Sequence, residues 1–584
     1  MGVTRMHSRA FRFWPVVCAV LIAACAQPTA APRPSTQSTG TSGAQAPAAE
    51  VQSTKTLRVV IRSEPGSVAG TILLPTGITT TTQRRLFNAG LALLDGDSKP
   101  RPYLAENLPT LNTDAWKVFP DGQMETTFHL RPNLTWHDGS PLTADDFVFA
   151  KEVYSSRNYG IANIAPYPFI EEVSAPDPRT VVIKWNRPYP DAAEMNEQTM
   201  TPLPRKVVEP LYERERENLP NQPFWTSEYI GSGPYRIENW QPGAYIEASS
   251  FAGHALGKPH INRLRITWSS DFNATLATLM SGENDMPADD SIRVEQGLVL
   301  ENDWSARNAG KIQYRPNLPR FIQVQHRPEY ANPQAVRDVR VRRALLHAIE
   351  KSQINASLFS GKGITSDSLV YPSLDYFALV DRVVAKYPFD LRASEQIMTE
   401  AGFTKDGSGI YVAPTGGRVN LEIRNIQSAQ NDAERSIIAD GWRRAGFEVE
   451  ENVFTPVQTQ DGQVLGTFRG LSVTSAAAQH EGLNLRDYKT ESISRPETRW
   501  LGQNRGGWSN ADYDRAAAAF ETTLDPPARQ QTVADAAKAL TTDLGIIPLH
   551  FNPGVLAFAG GIQGPLIRAS DAELSWNIYE WTFN

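Results

Sequence analysis

Cysteine is almost missing from this 584-residue chain: only Cys18 and Cys25 occur. Both lie near the N-terminus, so no disulfide and no cysteine-based zinc site is expected in the body of the protein. Stability must then come from buried apolar surface, for which a chain of this length has ample material. A basic surplus is missing too, since 57 Lys and Arg face 64 Asp and Glu for a net charge of −7. That balance argues against nucleic-acid binding, which leaves a basic footprint.

The usual signatures of a hydrolase are also absent. His480-Glu481 is followed by Gly-Leu-Asn and makes no H-E-x-x-H zinc motif. Gly231-Ser232-Gly233-Pro234 has the wrong spacing for a nucleophile elbow, and Pro234 opposes the helix that should follow one. Gly361-Lys362-Gly363 lacks phosphate-loop spacing. The nine histidines are scattered singly, which reads as surface or structural histidines. No metal and no cofactor is expected. Asp145-Asp146 and Asp289-Asp290 are sequence neighbours, whereas glycosidase carboxylates come from separate elements; the sequence alone leaves that chemistry open.

What is present begins with the leader. Arg5, Arg9 and Arg12 precede an apolar run from Phe13 to Ala24, with no carboxylate in either part. This is the layout of a secretory signal peptide, and the run falls short of the ~20 residues of a membrane-spanning helix. It ends in Ile22-Ala23-Ala24-Cys25, which looks like a lipobox and predicts lipidation at Cys25. Removing residues 1–24 takes three basic charges away and shifts the balance from −7 to −10. Residues 26–54 are Ala, Pro, Ser, Thr, Gln and Gly with almost no charge, a composition that cannot offset its ordering entropy. As a flexible tether it would reach roughly 30 Å. The expected location is outside the cytoplasm, anchored to the cell membrane by the N-terminal lipid.

Strand-like and helix-like segments mix thereafter. Leu57–Ile61 and Thr180–Trp185 read as strands, and Thr143 with Asp146 reads as a helix N-cap ahead of Phe147. Val341, Ala344, Leu345, Ala348 and Ile349 repeat at helical spacing within Arg340–Lys351. A helix from about Asp432 stops at Gly446 and leads into extended Phe447–Val453. Helices over Tyr513–Thr522 and Ala528–Asp543 precede a strand at Ile546–Phe551. The expectation is an α/β fold with at least two lobes. Of the thirteen Trp, most, including Trp136, Trp185 and Trp442, are expected in the core.

Several runs, taken in order, resemble one family: the large periplasmic solute-binding proteins of the peptide, dipeptide and nickel type, known as extracellular solute-binding family 5. Trp136-His137-Asp138-Gly139-Ser140-Pro141-Leu142-Thr143-Ala144-Asp145-Asp146-Phe147 matches its most diagnostic run. Gly231-Ser232-Gly233-Pro234-Tyr235 resembles its G-T-G-P-Y segment, and Asp338 to Ala344 its V-R-x-A helix. Tyr387 to Asp390 leading to Ala401-Gly402-Phe403, then Trp442 to Phe447 and Ile547-Pro548-Leu549, complete the order. The short motifs read as fold markers: Asp138-Gly139 suits a tight turn and Thr143 caps a helix.

The resemblance implies a two-lobed periplasmic-binding-protein clamp with mixed sheets and flanking helices. Lobe I would comprise residues 55–318 plus 548–584 and lobe II residues 319–547, with crossings near Leu318 and Pro548. It implies a solute held between the lobes, closure about a hinge, and delivery to the permease subunits of an ABC importer, with no chemical step. The loop after the first strand, with Ser63, Glu64 and Pro65, would contribute to the cleft. In lobe II the stretch from about 470 to 482 would contribute, with Ser475 and Glu481, and Trp508 would expose a ring to the cleft. Peptide-binding relatives carry an Asp-Pro there that pairs with the peptide amine. Leu471 to Glu481 holds neither that pair nor an aromatic residue, which puts the standard anchor in doubt. Glu481 or Asp487 could replace it. Arg486, Arg495, Arg499 and Arg505 would suit a carboxylate, so opines, oligosaccharides and other anionic metabolites stand beside oligopeptides as candidate solutes. A secreted hydrolase or surface adhesin is the reading from a different class.

Overall fold

The computed structural model describes residues 55–71, 73, 82–476, 485–566 and 574–584, and within it Thr54–Asn584 forms one compact unit. The expectations at Cys25 and Glu481 therefore lie outside the described residues.

The elements that position the site are, in chain order, β1 (Thr56–Ile61), β2 (Met124–His129), α1 (Ala144–Tyr154), β3 (Thr180–Trp185), β4 (Tyr235–Gln241), β5 (Tyr245–Ser250) and β6 (Arg263–Trp268). They continue with α2 (Phe272–Ser281), β7 (Met286–Pro287), α3 (Val294–Arg307), β8 (Gly310–Val324), α4 (Val339–His347) and α5 (Lys351–Phe359). The last group is β9 (Asn420–Ile426), α6 (Ala429–Ala445), β10 (Glu448–Phe454), β11 (Leu471–Ser475), α7 (Ala511–Phe520), α8 (Pro526–Asp543) and β12 (Ile546–Ala559).

Two sheets carry the two lobes. The first has the order β7-β1-β6-β5-β4, with β1 parallel to both β6 and β7. A four-stranded sheet containing β2 and β3 packs into the same apolar core, which runs from Leu57 to Ala288 and takes in Ile562, Ile578 and Trp581 from the C-terminal tail. The second sheet has the order Ile364–Thr365, β12, β8, β11, β9, β10. Its own cores cover residues between Phe321 and Phe551. The β9-α6-β10 segment is a parallel βαβ unit, with α6 capped by Ser428 and ended by Gly446.

Local patterning accounts for most boundaries. In α1 the Thr143 cap is reciprocal, its backbone N–H donating to Asp146 Oδ2 at 2.9 Å. The periodic run Val341, Ala344, Leu345, Ala348 and Ile349 is buried throughout, but the helix ends at His347 and a second one starts at Lys351. The helix expected from Asp432 starts earlier, at Ala429, because the Ser428 Oγ accepts the Asn431 N–H at 3.2 Å. The final strand is far longer than its apolar start, since Asn552 and Pro553 interrupt the pattern without ending the pairing.

That long strand joins the lobes. Gly310–Pro316 of β8 pairs with Pro553–Ala559 of β12, under a small core containing Val60, Leu300 and Trp304. Pro319–Gln323 pairs instead with Ile546–Phe551, inside the second sheet. The ladder breaks between Pro316 and Pro319. Proline has no N–H to give, so Pro316, Pro319 and Pro553 leave the crossing with few ladder bonds.

Candidate functional site

Open sheets with parallel strands bind ligands beyond the carboxyl ends of those strands. In the first sheet those ends are Ile61, Trp268 and Pro287, and in the second Ile426, Phe454 and Ser475. The paired crossing strands β8 and β12 connect the two sets.

On the first lobe, the chain leaves β1 through Arg62, Ser63, Glu64 and Pro65. Glu64 is committed locally: Oε1 accepts the Trp240 indole N–H at 2.9 Å and Oε2 the Gly243 N–H at 3.0 Å, fixing the β4–β5 hairpin. Pro65 is buried and Ser63 half-buried. Beside them Arg62 and Arg293 lie over Phe272, their guanidinium carbons 5.6 and 5.3 Å from the ring centroid. Arg293 Nη1 is 3.5 Å from Asp290 Oδ2, and Asp290 Oδ1 accepts from Asn317 Nδ2 at 3.3 Å. Asp289 Oδ1 accepts the Thr82 backbone N–H at 3.1 Å and hydroxyl at 3.0 Å. Asp289 and Asp290 both adopt left-handed backbone, φ 50° and 56°, at the end of β7. This acidic pair is thus built into the wall next to the crossing strand. Its only signal in the sequence is two adjacent carboxylates.

On the second lobe Ser475 is exposed at the end of β11, opposite Arg320 in the ladder. Arg320 is buried with Glu434, its Nε 3.1 Å from Oε2, and its Nη2 donates to Asn431 Oδ1 at 2.9 Å. Gln430 Nε2 donates to Asn552 Oδ1 at 2.9 Å, and the Tyr371 hydroxyl donates to the Asn317 carbonyl at 2.8 Å. Both contacts brace the crossing from the lobe II side.

Trp508 corrects an expectation. It is only 2% exposed, packs edge-on against Tyr513 at 5.0 Å, and donates its indole N–H to Asp543 Oδ2 at 2.6 Å. A Cβ on Gly545 would come within 2.2 Å of the indole, so that glycine makes the room for it. The ring is core and not an exposed wall. Trp136, Trp185 and Trp442 are buried as expected.

The four arginines differ. Arg486 Nε lies 3.1 Å from Glu521 Oε1, and Arg495 is 3.9 Å from Glu497. Arg499 is exposed. Arg505 is half-buried; desolvation pulls its guanidinium below the usual range, and among the described residues its side chain bonds only Gln503 Oε1, at 3.3 Å. Burial also raises the Asp487 carboxyl. Among the described residues no group of three metal-ligating side chains occurs, and no helix is long and apolar enough to cross a membrane.

The dipeptide-binding protein of Escherichia coli K12 is 24% identical over 62% of this chain and 65% of its own length. A Brucella ovis protein, named for peptide binding in an ABC transporter, is 27% identical over 51% of this chain. The match spans 53% of that relative, about half its length. Two solved structures share the fold. NikZ from Campylobacter jejuni, in complex with Ni(L-His), has a TM-score of 0.68 at 21% identity, covering 90% of this chain and 99% of that one. The oligopeptide-binding protein of Thermus thermophilus, complexed with a pentapeptide, has a TM-score of 0.66 at 21% identity, covering 90% and 96%. At this identity they establish the architecture alone, a two-lobed clamp. The model of bacterial extracellular solute-binding proteins, family 5, matches residues 100–474, and the chain belongs to that family.

Proposed function

We propose that this protein is the extracytoplasmic solute-binding component of an ABC importer. It captures an oligopeptide or similar polar solute between its lobes, closes about the crossing strands, and presents the loaded clamp to permease subunits without chemical change. The observation that carries this reading is the pair β8 and β12. Two strands, each weakened by prolines at the same level, connect two separately built cores whose parallel-strand ends flank them. The relatives named for dipeptide and peptide binding support the solute class.

The β8–β12 ladder supports the following lobe limits. Lobe I comprises residues 55–318 and the tail from Pro553, and lobe II the residues between. Taking the second crossing at Asn552, four residues beyond Pro548, is supported by the pairing of Pro548 with Phe321 in the second sheet. Ser63 and Ser475, at strand ends on either lobe, remain the candidate ligand contacts, with Glu481 from the stretch after β11. Glu64 and Pro65 act there as supports of that loop. Cys25 carries the lipid that holds the protein at the membrane, and Cys25→Ser would move the protein from the membrane to the soluble fraction.

A second reading, the same clamp for an opine, oligosaccharide or other anionic metabolite, draws on Arg505 and Arg62. Neither has a carboxylate partner among the described residues. A thermal-shift screen of di- to pentapeptides against anionic metabolites and sugars separates the two. Stabilisation by peptides supports the first, and stabilisation by metabolites alone replaces it with the second. Turnover of any of these compounds would contradict both.

A further inference from the structure

The two lobes also touch away from the crossing, at the turn between α7 and α8. Arg529, on the first turn of α8, faces Asp191 of lobe I with both guanidinium nitrogens, Nη2 lying 3.2 Å from Oδ2. The side chains are 21% and 32% exposed. Arg529 is itself braced, its guanidinium 4.1 Å from the centre of the Phe520 ring and its Nε donating to the Phe520 carbonyl at 3.3 Å. In the same turn Glu521 collects three cations: Arg486 at 3.1 Å and Lys489 at 3.3 Å from its own lobe, and Arg187 at 3.9 Å from lobe I. Burial would raise the Glu521 carboxyl, but Arg486 and Lys489 outweigh it and hold it below the usual range. Between these charges Leu524 packs against the lobe I core.

We propose that the Glu521–Arg529 turn is a latch that fixes the closed clamp through the Arg529–Asp191 and Glu521–Arg187 pairs and the seated Leu524. An isolated surface pair would count for little. This one is two-pronged, half-buried and pre-positioned by Phe520, and it flanks an apolar contact that opening would expose to water. A third pair, Lys99–Asp375 at 3.1 Å, is mostly solvated at 57% and 60% exposure and adds little. Arg486 and Lys489 lie at the turn Leu485–Tyr488 and just after it, so Glu521 ties that turn to the latch. The latch rests on the hinge closure proposed above and would act whatever the solute is.

The test is an inter-lobe distance measurement by electron-electron resonance on the full chain without solute. Cys18 and Cys25 are replaced by serine, and spin labels are placed at the exposed positions Lys117 and Glu400. Asp191→Asn and Leu524→Ala should each raise the ratio of open to closed clamp about fivefold. About 1 M salt should open the parent in the same direction. The reversed pair D191R with R529D should restore the parent distribution, while Lys99→Ala should change it less than about twofold. Parent-like melting of the reversed pair shows that the fold is retained. Distance distributions for Asp191→Asn, Arg529→Ala and Leu524→Ala that superimpose on the parent would overturn the latch, as would failure of the reversed pair to restore closure.

Discussion

His137 Nε2 lies 3.0 Å from the carbonyl oxygen of Gly233, joining the Trp136–Phe147 run to the Gly231–Tyr235 segment. The Gly231 N–H donates to Nδ1 at 3.2 Å, so the ring is the neutral Nε2–H tautomer with both nitrogens engaged. A Cβ on Gly231 would sit 2.0 Å from the Phe87 carbonyl, which explains the glycine there. Trp136 and Thr143 both donate to Asp146, at 3.2 and 2.9 Å. The family runs are thus a structural knot of lobe I, not a ligand site.

Replacing His137 by Phe keeps the ring volume but removes both bonds and leaves the Gly231 N–H and Gly233 carbonyl unsatisfied. Stability should fall by about 1–3 kcal/mol in urea unfolding. Affinity for the solute should stay within about twofold, given that the knot only shapes lobe I.

Acid should weaken the fold before any carboxylate pairs are lost. Burial pulls the imidazoles of His137, His254 and His550 down to about 4 and that of His326 to about 3. These folded values lie below the unfolded value of about 6.5. The unfolded chain therefore binds more protons in between. The stability is fully present above pH ~6.5 and is lost as pH falls toward ~4. Melting temperatures from pH 7 to 4.5 should fall steadily, and a flat profile would contradict the burial of these rings.

Glu434 is fully buried against Arg320. Glu434→Gln leaves a desolvated guanidinium without its counter-charge and should cost about 3–5 kcal/mol in chemical denaturation. Replacing both residues, Arg320→Met with Glu434→Leu, should recover most of that loss, because the pair's desolvation penalty disappears with it.

The crossing should open before the sheets do. Amide hydrogen exchange at Asn317 and Leu318 should be faster than at Ile322 and Val324, which lie in the second sheet's core. Equal protection along the whole of β8 would mean that the prolines do not make a hinge.

Legibility follows locality. The Trp136–Phe147 run, the strand Thr180–Trp185 and the buried Val341, Ala344 and Leu345 can be read because their signals are short-range. The β8–β12 pairing joins residues more than two hundred positions apart, and no periodicity announces it. Trp508 is misplaced by its neighbours, because Gly506-Gly507 suggests an open loop. Its room in the core is made by Gly545, thirty-seven positions on. Glu64 follows β1 directly, but its hydrogen bonds to Trp240 and Gly243 depend on a hairpin far along the chain. Arg62, Phe272, Arg293 and Asn317 come from four separate parts of the chain and give no joint signal.

One unaltered solute is expected to occupy the space between the lobes. Native mass spectrometry of the chain purified without denaturation, with release and identification of any bound small molecule, tests it most directly. The expected result is one-to-one occupancy by a peptide or another small polar solute, recovered unchanged, with the bound form more compact in solution scattering. A released compound that is a cleavage product of what was added, or a protein that stays unoccupied after exposure to both the peptide and the anionic panels, would contradict it.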